Sequence, residues 1–503
     1  MPRDGHAAAR IAQIRAQLLE KSPNASVARE LWSCGPSGTY AAYRQCLQHR
    51  RQAAAELQQS GPGGASAGGN ANGLSSATCA AANPQSLPAT VKYSFEGVKH
   101  VLSEASSAVT ALAFAALRSD LLAFGCVDGE LWLAVLPAAP SSAAQPTCSK
   151  ARKMHGQSVQ SVDWAFDNSQ LLSAGRDGSL CVWDASDPAG SGLTCIRSVC
   201  VPTTAFLCAR FHRVNFSLAM VGTSAGSLEL FNCSTGMRHS RYQVAASGSG
   251  VQVTAVDSSN HHVFVGDSAG VLHWHTCELH GRQLSRLRPA GRLRLAGGGG
   301  GGTGPQAPSP VTALQYVPFC RTTDTPMLMA ALQDGSLCIV RANEARHTAD
   351  LYLRRAVSTV SPPVAGGSGG AGPVATSNSA AGSAPPLTAL MRFGPAVCPL
   401  SVIQDVPLIT YGSYDTSVYI VDVTARSFSG PAGAGGGMGG RGGGGAAAAT
   451  GGAQSSAERP MTVTVLKAHR AAVTAVAWSY DEALLASADA EGMVVLWRRC
   501  RLF

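Results

Sequence analysis

A short pattern recurs seven times after residue 108. An apolar residue is followed by a small or polar pair, a second apolar residue, any residue, and then an aromatic. It stands as Val109–Phe114, Val159–Trp164, Phe206–Phe211, 311–316 and Val473–Trp478, with weaker copies at 253–256 and at 387–390 followed by Phe393. Each copy leads to a second landmark, a tight turn running into an apolar strand. These turns open at Val127, Asp177, Ala225, Ala269, Asp334, Asp415 and Glu491. Paired landmarks of this kind leave few folds open, because a unit that cannot bury its apolar face alone must stack on copies of itself. Successive starts lie 47 to 86 residues apart. A propeller blade takes ~40–45 residues, so each interval holds one blade and an insert, never two blades.

Closure follows from counting strands. The last copy shows only three strands before the chain ends at Phe503. The stretch 89–96, ATVKYSFE, alternates Val91, Tyr93 and Phe95 with polar residues. It is expected to pair beside 493–497, joining the two ends and removing the open sheet edges.

The second copy is the fullest. His155-Gly156 opens the stretch 154–186 and Trp183-Asp184 closes it, with Asp167-Asn168-Ser169 and Asp177-Gly178 as turns between three short strands. This stretch resembles a repeat of the WD40 family, one blade of a β-propeller. The resemblance implies an all-β fold, a seven-bladed WD40 β-propeller over 89–503. An N-terminal outer strand would close it, with a short helical N-terminal extension and disordered Gly-rich inserts at 296–309, 361–385 and 429–457. It also implies a hydrogen-bonded set of four within a blade. That set falls on His155, Ser173, Asp177 and Trp183 in the second blade. In the last blade it falls on His469, Ser487, Glu491 and Trp497, with Asp489 the rival to Glu491. Both sets share a 28-residue separation of histidine and tryptophan. Blades three to six carry Phe231, His275, Val340 and Val421 where the tryptophan would stand.

Outside the repeats the chain changes character. Residues 1–60 form a mildly basic extension. Ile11, Ile14, Leu18 and Leu19 stand at helical spacing in 6–20, and 40–59 offers a second helix around Tyr43, Cys46, Leu47 and Leu57. This pair is either a marginal one that packs on the propeller or frays, or a basic arm that docks on a partner. Residues 61–88 are rich in Gly, Ala, Ser and Asn, too poor in apolar side chains to offset ordering entropy, and are expected to be a disordered linker. The inserts read as surface coil, where added length costs little.

Composition narrows function. The net charge is +9, a mild excess that permits acidic partners but not the basic tail of a nucleic-acid binder. Direct nucleic-acid binding is not expected. The 15 cysteines are scattered with no CxxC pair, which reads as reduced thiols of an intracellular protein. No signal peptide and no membrane-spanning helix are expected. His261-His262 and the pair His273 and His275 are the nearest thing to metal ligands. They lack a third ligand and read as exposed strand histidines.

The His155, Ser173 and Asp177 set also invites a hydrolase reading. Ser173 lies mid-strand rather than on a nucleophile elbow, and Trp183 fills the place of a substrate. No enzyme activity, cofactor, metal or small-molecule substrate is therefore expected. The family resemblance implies a protein-interaction scaffold that binds other proteins through the propeller faces. It would act in nuclear chromatin- or transcription-regulating complexes, with the cytoplasm as a second location. Arg498, Arg499 and Arg501 read as a nuclear signal or as the solvated end of the last strand. The alternative is a substrate receptor of a cullin-type ubiquitin ligase. Against it, Trp183-Asp184 is followed by Ala185 and Ser186, not by the Trp-Asp-x-Arg of such receptors.

Overall fold

The computed structural model describes residues 93–500 apart from 117, 138–143, 214, 216, 247, 260, 281–282, 296–308, 321–324, 344–345, 358–393, 400, 402–406 and 427–459. The expected helical extension 1–60, the linker 61–88, most of the insert 296–309 and the inserts 361–385 and 429–457 lie outside the described residues.

Every regular element described is a strand, and the strands form seven four-stranded antiparallel sheets. In the second blade the order from inner to outer is Val159–Trp164, Gln170–Gly175, Ser179–Asp184 and Thr194–Cys200. Five other blades repeat this order. The seventh combines Val473–Trp478, Leu484–Asp489 and Val494–Arg499 with Phe95–Leu102 on its outside. The protein is a seven-bladed β-propeller.

An N-terminal outer strand closes the ring as expected, but over residues further along the chain. Phe95–Leu102 pairs with Val494–Arg499, so 89–96 overlaps it only at its first two residues. Two register shifts explain the error. They fall between Phe95 and Gly97 and between Val98 and His100. They place Phe95, Val98 and Val101 opposite Arg499, Trp497 and Val495. Residues directly opposite share a face, so the apolar spacing along this strand is three, not two. A search for two-residue alternation therefore stops at 96. The start at 387–393 lies outside the described residues, and the inner strand of blade six is described at Ala396–Val397, paired with Thr410 and Ile409.

The core is distributed rather than central. Among the described residues the buried apolar side chains fall into clusters, each lying between two adjacent blades. Blade stacking requires close approach at one point. A Cβ on Gly125, Gly266 or Gly412 would meet the first valine of the next inner strand, Val159, Val311 or Val473, at 2.5 Å. Only glycine lets the sheets come so near.

Polar side chains lace the inner strands around the ring. Thr110 Oγ1 donates to the Val159 carbonyl at 2.5 Å, Thr254 Oγ1 to Val311 at 2.5 Å and Thr474 Oγ1 to Val109 at 2.6 Å. Asp163 accepts the Phe211 amide at 2.8 Å, Asp257 the Tyr316 amide at 2.7 Å and Gln315 the Val397 amide at 2.9 Å. The last of the threonines joins blade seven to blade one.

Candidate functional site

Two blades carry the polar chain expected from sequence, and donor counting fixes its direction. In the second blade Trp183 Nε1–H donates to Ser173 Oγ at 2.8 Å, and Ser173 Oγ lies 2.7 Å from His155 Nε2. The direction is set from the acid end: Ser179 gives its one proton to the Asp177 carboxylate and so accepts from His155 Nδ1–H, which in a neutral imidazole leaves Nε2 to accept the Ser173 proton. His155 Nδ1 then donates to Ser179 Oγ at 2.5 Å, and Ser179 Oγ–H donates to Asp177 Oδ1 at 2.5 Å. His155 Nδ1 itself stands 3.8 Å from that carboxylate oxygen. The acid thus acts through Ser179, a relay the sequence did not reveal. Burial alone would raise the Asp177 carboxyl. Contacts with His155 and Ser179 and the amides of Gly156 and Ser179 outweigh it and hold the group well below the usual carboxylate range.

In the last blade Trp497 Nε1–H donates to Ser487 Oγ at 2.8 Å, and Ser487 Oγ lies 2.6 Å from His469 Nε2. The acid is Asp489, whose Oδ2 lies 2.9 Å from His469 Nδ1. Glu491, expected in this place, is exposed and only its amide reaches Asp489. The correction has a steric cause. Asp489 occupies the strand position held by Gly175 in the second blade, two residues after the serine. A Cβ at Gly175 would sit 2.6 Å from His155 Nδ1. With glycine there the imidazole fills the space and the acid waits on the turn. With Asp489 there the acid meets the imidazole directly.

Blade six reaches a similar end with a borrowed tryptophan. Its third strand has Val421, yet Thr410 Oγ1 accepts a 2.8 Å bond from Trp478 Nε1 of blade seven. Trp164 reaches across the first interface in the same way, to the Ala113 carbonyl at 3.1 Å. The tryptophans that end two inner strands, Trp164 and Trp478, are the readable signal for such ties.

A second buried node sits where the ends meet. Glu482 accepts Tyr93 Oη–H at 3.0 Å, the Ser401 amide at 3.3 Å and the Arg499 guanidinium. Arg499 also lies over the Tyr93 ring, 4.2 Å from its centroid. Burial, joined by the Glu482 charge, pushes the Tyr93 hydroxyl far above its ordinary pKa. Arg499 is therefore not a solvated strand end, and Arg498 pairs with Glu96 at 3.2 Å. Sequence reasoning missed Glu482 because it stands on a turn with φ +53°, outside any repeat landmark.

The histidines considered as metal ligands are not exposed and do not converge. His273 Nε2 pairs with Asp267 at 2.9 Å. His275 is buried against the Tyr242 ring. His262 is buried and meets His347 at 3.0 Å. Burial lowers His212 and His275 to about 4. Among the described residues no group of three or more His, Cys, Asp or Glu side chains is placed to hold a metal ion.

Comparison with known proteins agrees with this geometry. Residues 146–184 and 461–498 match the WD40 family model, described as "WD domain, G-beta repeat". These are the two blades that carry the complete His–Ser–Trp chain, so the match and the geometry support reading them as WD40 repeats. The fold resembles the crystal structure of the Cps50 (Swd1) β-propeller domain of Myceliophteria thermophila. The TM-score is 0.51 at 14% identity, over 80% of this chain and 99% of that one.

Proposed function

We propose that this chain is a non-catalytic protein-interaction scaffold of nuclear chromatin- or transcription-regulating complexes. The observation that carries the scaffold reading is how the most enzyme-like residues are spent. Ser173 is fully buried, accepts the Trp183 indole and donates to His155. Its Oγ is covered by the Trp183 indole and fully buried, so no substrate reaches it and the His–Ser–Asp set serves the blade. What remains for recognition is the ring's outer surface and its turns, which suits a WD40 propeller that binds proteins.

The nuclear part of the proposal draws on resemblance of segments to WD repeat-containing protein 13. The segments are 466–499, 266–281, the turn 411–415 with Val421-Asp422, Phe95-Glu96-Gly97 and Leu121-Leu122-Ala123. The test is affinity capture with the full chain from nuclear and cytosolic extracts, read by mass spectrometry. Enrichment of chromatin or transcription-regulating proteins from the nuclear extract is the expected result. Recovery of cullin-type ligase subunits in their place would replace this reading with the substrate-receptor one.

A further inference from the structure

One cleft between neighbouring rims is open and apolar. Val98 and Val101 lie opposite Trp497 and Val495, members of the cluster between blades six and seven, so both valines face blade six. On the other wall Met461 lies opposite Asp422, which alternates in phase with Val418 and Ile420 of that cluster. Met461 therefore faces blade seven. Val98 is 44% exposed, Val101 51% and Met461 38%. Three large apolar side chains thus stand in water along one cleft, beside the pairing of the first and last described strands.

We propose that this cleft receives the chain's own residues 6–20, a contact that goes beyond the scaffold reading. Three observations favour this occupant. Ile11, Ile14, Leu18 and Leu19 stand on one helical face, with Arg15 on that face between Ile11 and Leu19 and with Arg10 and Glu20 off it. Fifteen residues of helix span about 22 Å, close to the roughly 26 Å of an eight-residue strand such as Phe95–Leu102. The stretch before residue 93 is also delivered at this place. Tyr93 is buried in the same cluster, and its carbonyl accepts Thr464 Oγ1 at 2.9 Å on the facing wall. The roughly 70 residues between Glu20 and Tyr93 are ample reach. The insert before Pro460 is also delivered here, but Phe428 and Met438 are its only large apolar residues and are too far apart in sequence to form one helical stripe. A partner that uses this rim would have to displace the segment, so the contact would mask an interaction surface.

The experiment places a photo-crosslinking p-benzoylphenylalanine at Ala12 of the full chain, at the edge of the apolar face. Two doubly charged variants accompany it, Ile14→Glu with Leu18→Glu, and Val101→Glu with Met461→Glu. Crosslinks from position 12 to 95–102 and 461–467 within one chain are expected. Either charged pair should lower their yield about tenfold, because a carboxylate in an apolar contact is costly. The ring should keep its melting temperature in the first pair, which lies outside the propeller. Crosslinks elsewhere on the ring, a product of twice the chain mass, or yields unchanged by both pairs would overturn the proposal.

Discussion

The second and the last blade look alike in sequence and are built differently. The second is one continuous stretch, Val159 to Cys200, and its acid sits on a turn with an 18% exposed side chain, reaching His155 through Ser179. The last is assembled from both ends of the propeller, and its acid is fully buried against His469. The same His, Ser and Trp are present in both. What differs is the residue that ends the second strand, Gly175 in one and Asp489 in the other. The comparison teaches that an acid's role in such a chain follows from its distance to the imidazole, not from its alignment with the turn.

The largest expected effect tests the dependence on both ends. A chain beginning at residue 103 loses Tyr93 and the whole closing strand, leaving Val494–Arg499 as an open edge prone to aggregate. It should not yield a monomer that melts cooperatively, whereas a chain beginning at residue 90 should. Size-exclusion chromatography and thermal melting of the two decide. Monomeric, normally melting protein from the shorter chain would mean that the last blade does not need its fourth strand.

The two acids come next. Asp489→Ala removes a buried acceptor and should cost about 3 kcal/mol. Asp177→Ala removes a partly solvated one and should cost about 1 kcal/mol. Denaturant melts of both variants compare them directly, and equal losses would dissolve the distinction.

Acid should act on histidines outside both chains. His212 and His275 are held at about 4 in the folded protein by burial, against an ordinary value of about 6.5. The unfolded chain takes up their protons first. Their contribution is therefore complete above pH ~6.5 and is lost as pH falls towards 4. Thermal melts across this window should show falling stability, and His275→Leu should flatten part of the slope. An unaltered slope in that variant would remove His275 from the account.

The smallest effect concerns Glu491. Its side chain is exposed and only its amide bonds to Asp489, so Glu491→Gln should shift stability by no more than about 0.5 kcal/mol. A loss near that of Asp489→Ala would restore Glu491 to the chain.

Sequence alone determined the repeat, the number of blades and the histidine, serine and tryptophan of the two best-formed ones. These features are local. Apolar spacing, a glycine turn and a 28-residue separation are set within a single blade, and a blade repeats its physics at each copy. Only the tertiary structure decided the closing strand, the acid of the last blade, the relay through Ser179, the indole lent by Trp478 to Thr410 and the Glu482 node. Two bulges changed the spacing that marks Phe95–Leu102 from two to three. Tyr93 and Glu482 are 389 residues apart in the chain and 3.0 Å apart in space. The carboxylate that serves His469 was chosen by whether a side chain at one strand position leaves room for the ring. Those outcomes depend on which atoms from distant segments share one buried volume, and no local pattern encodes that.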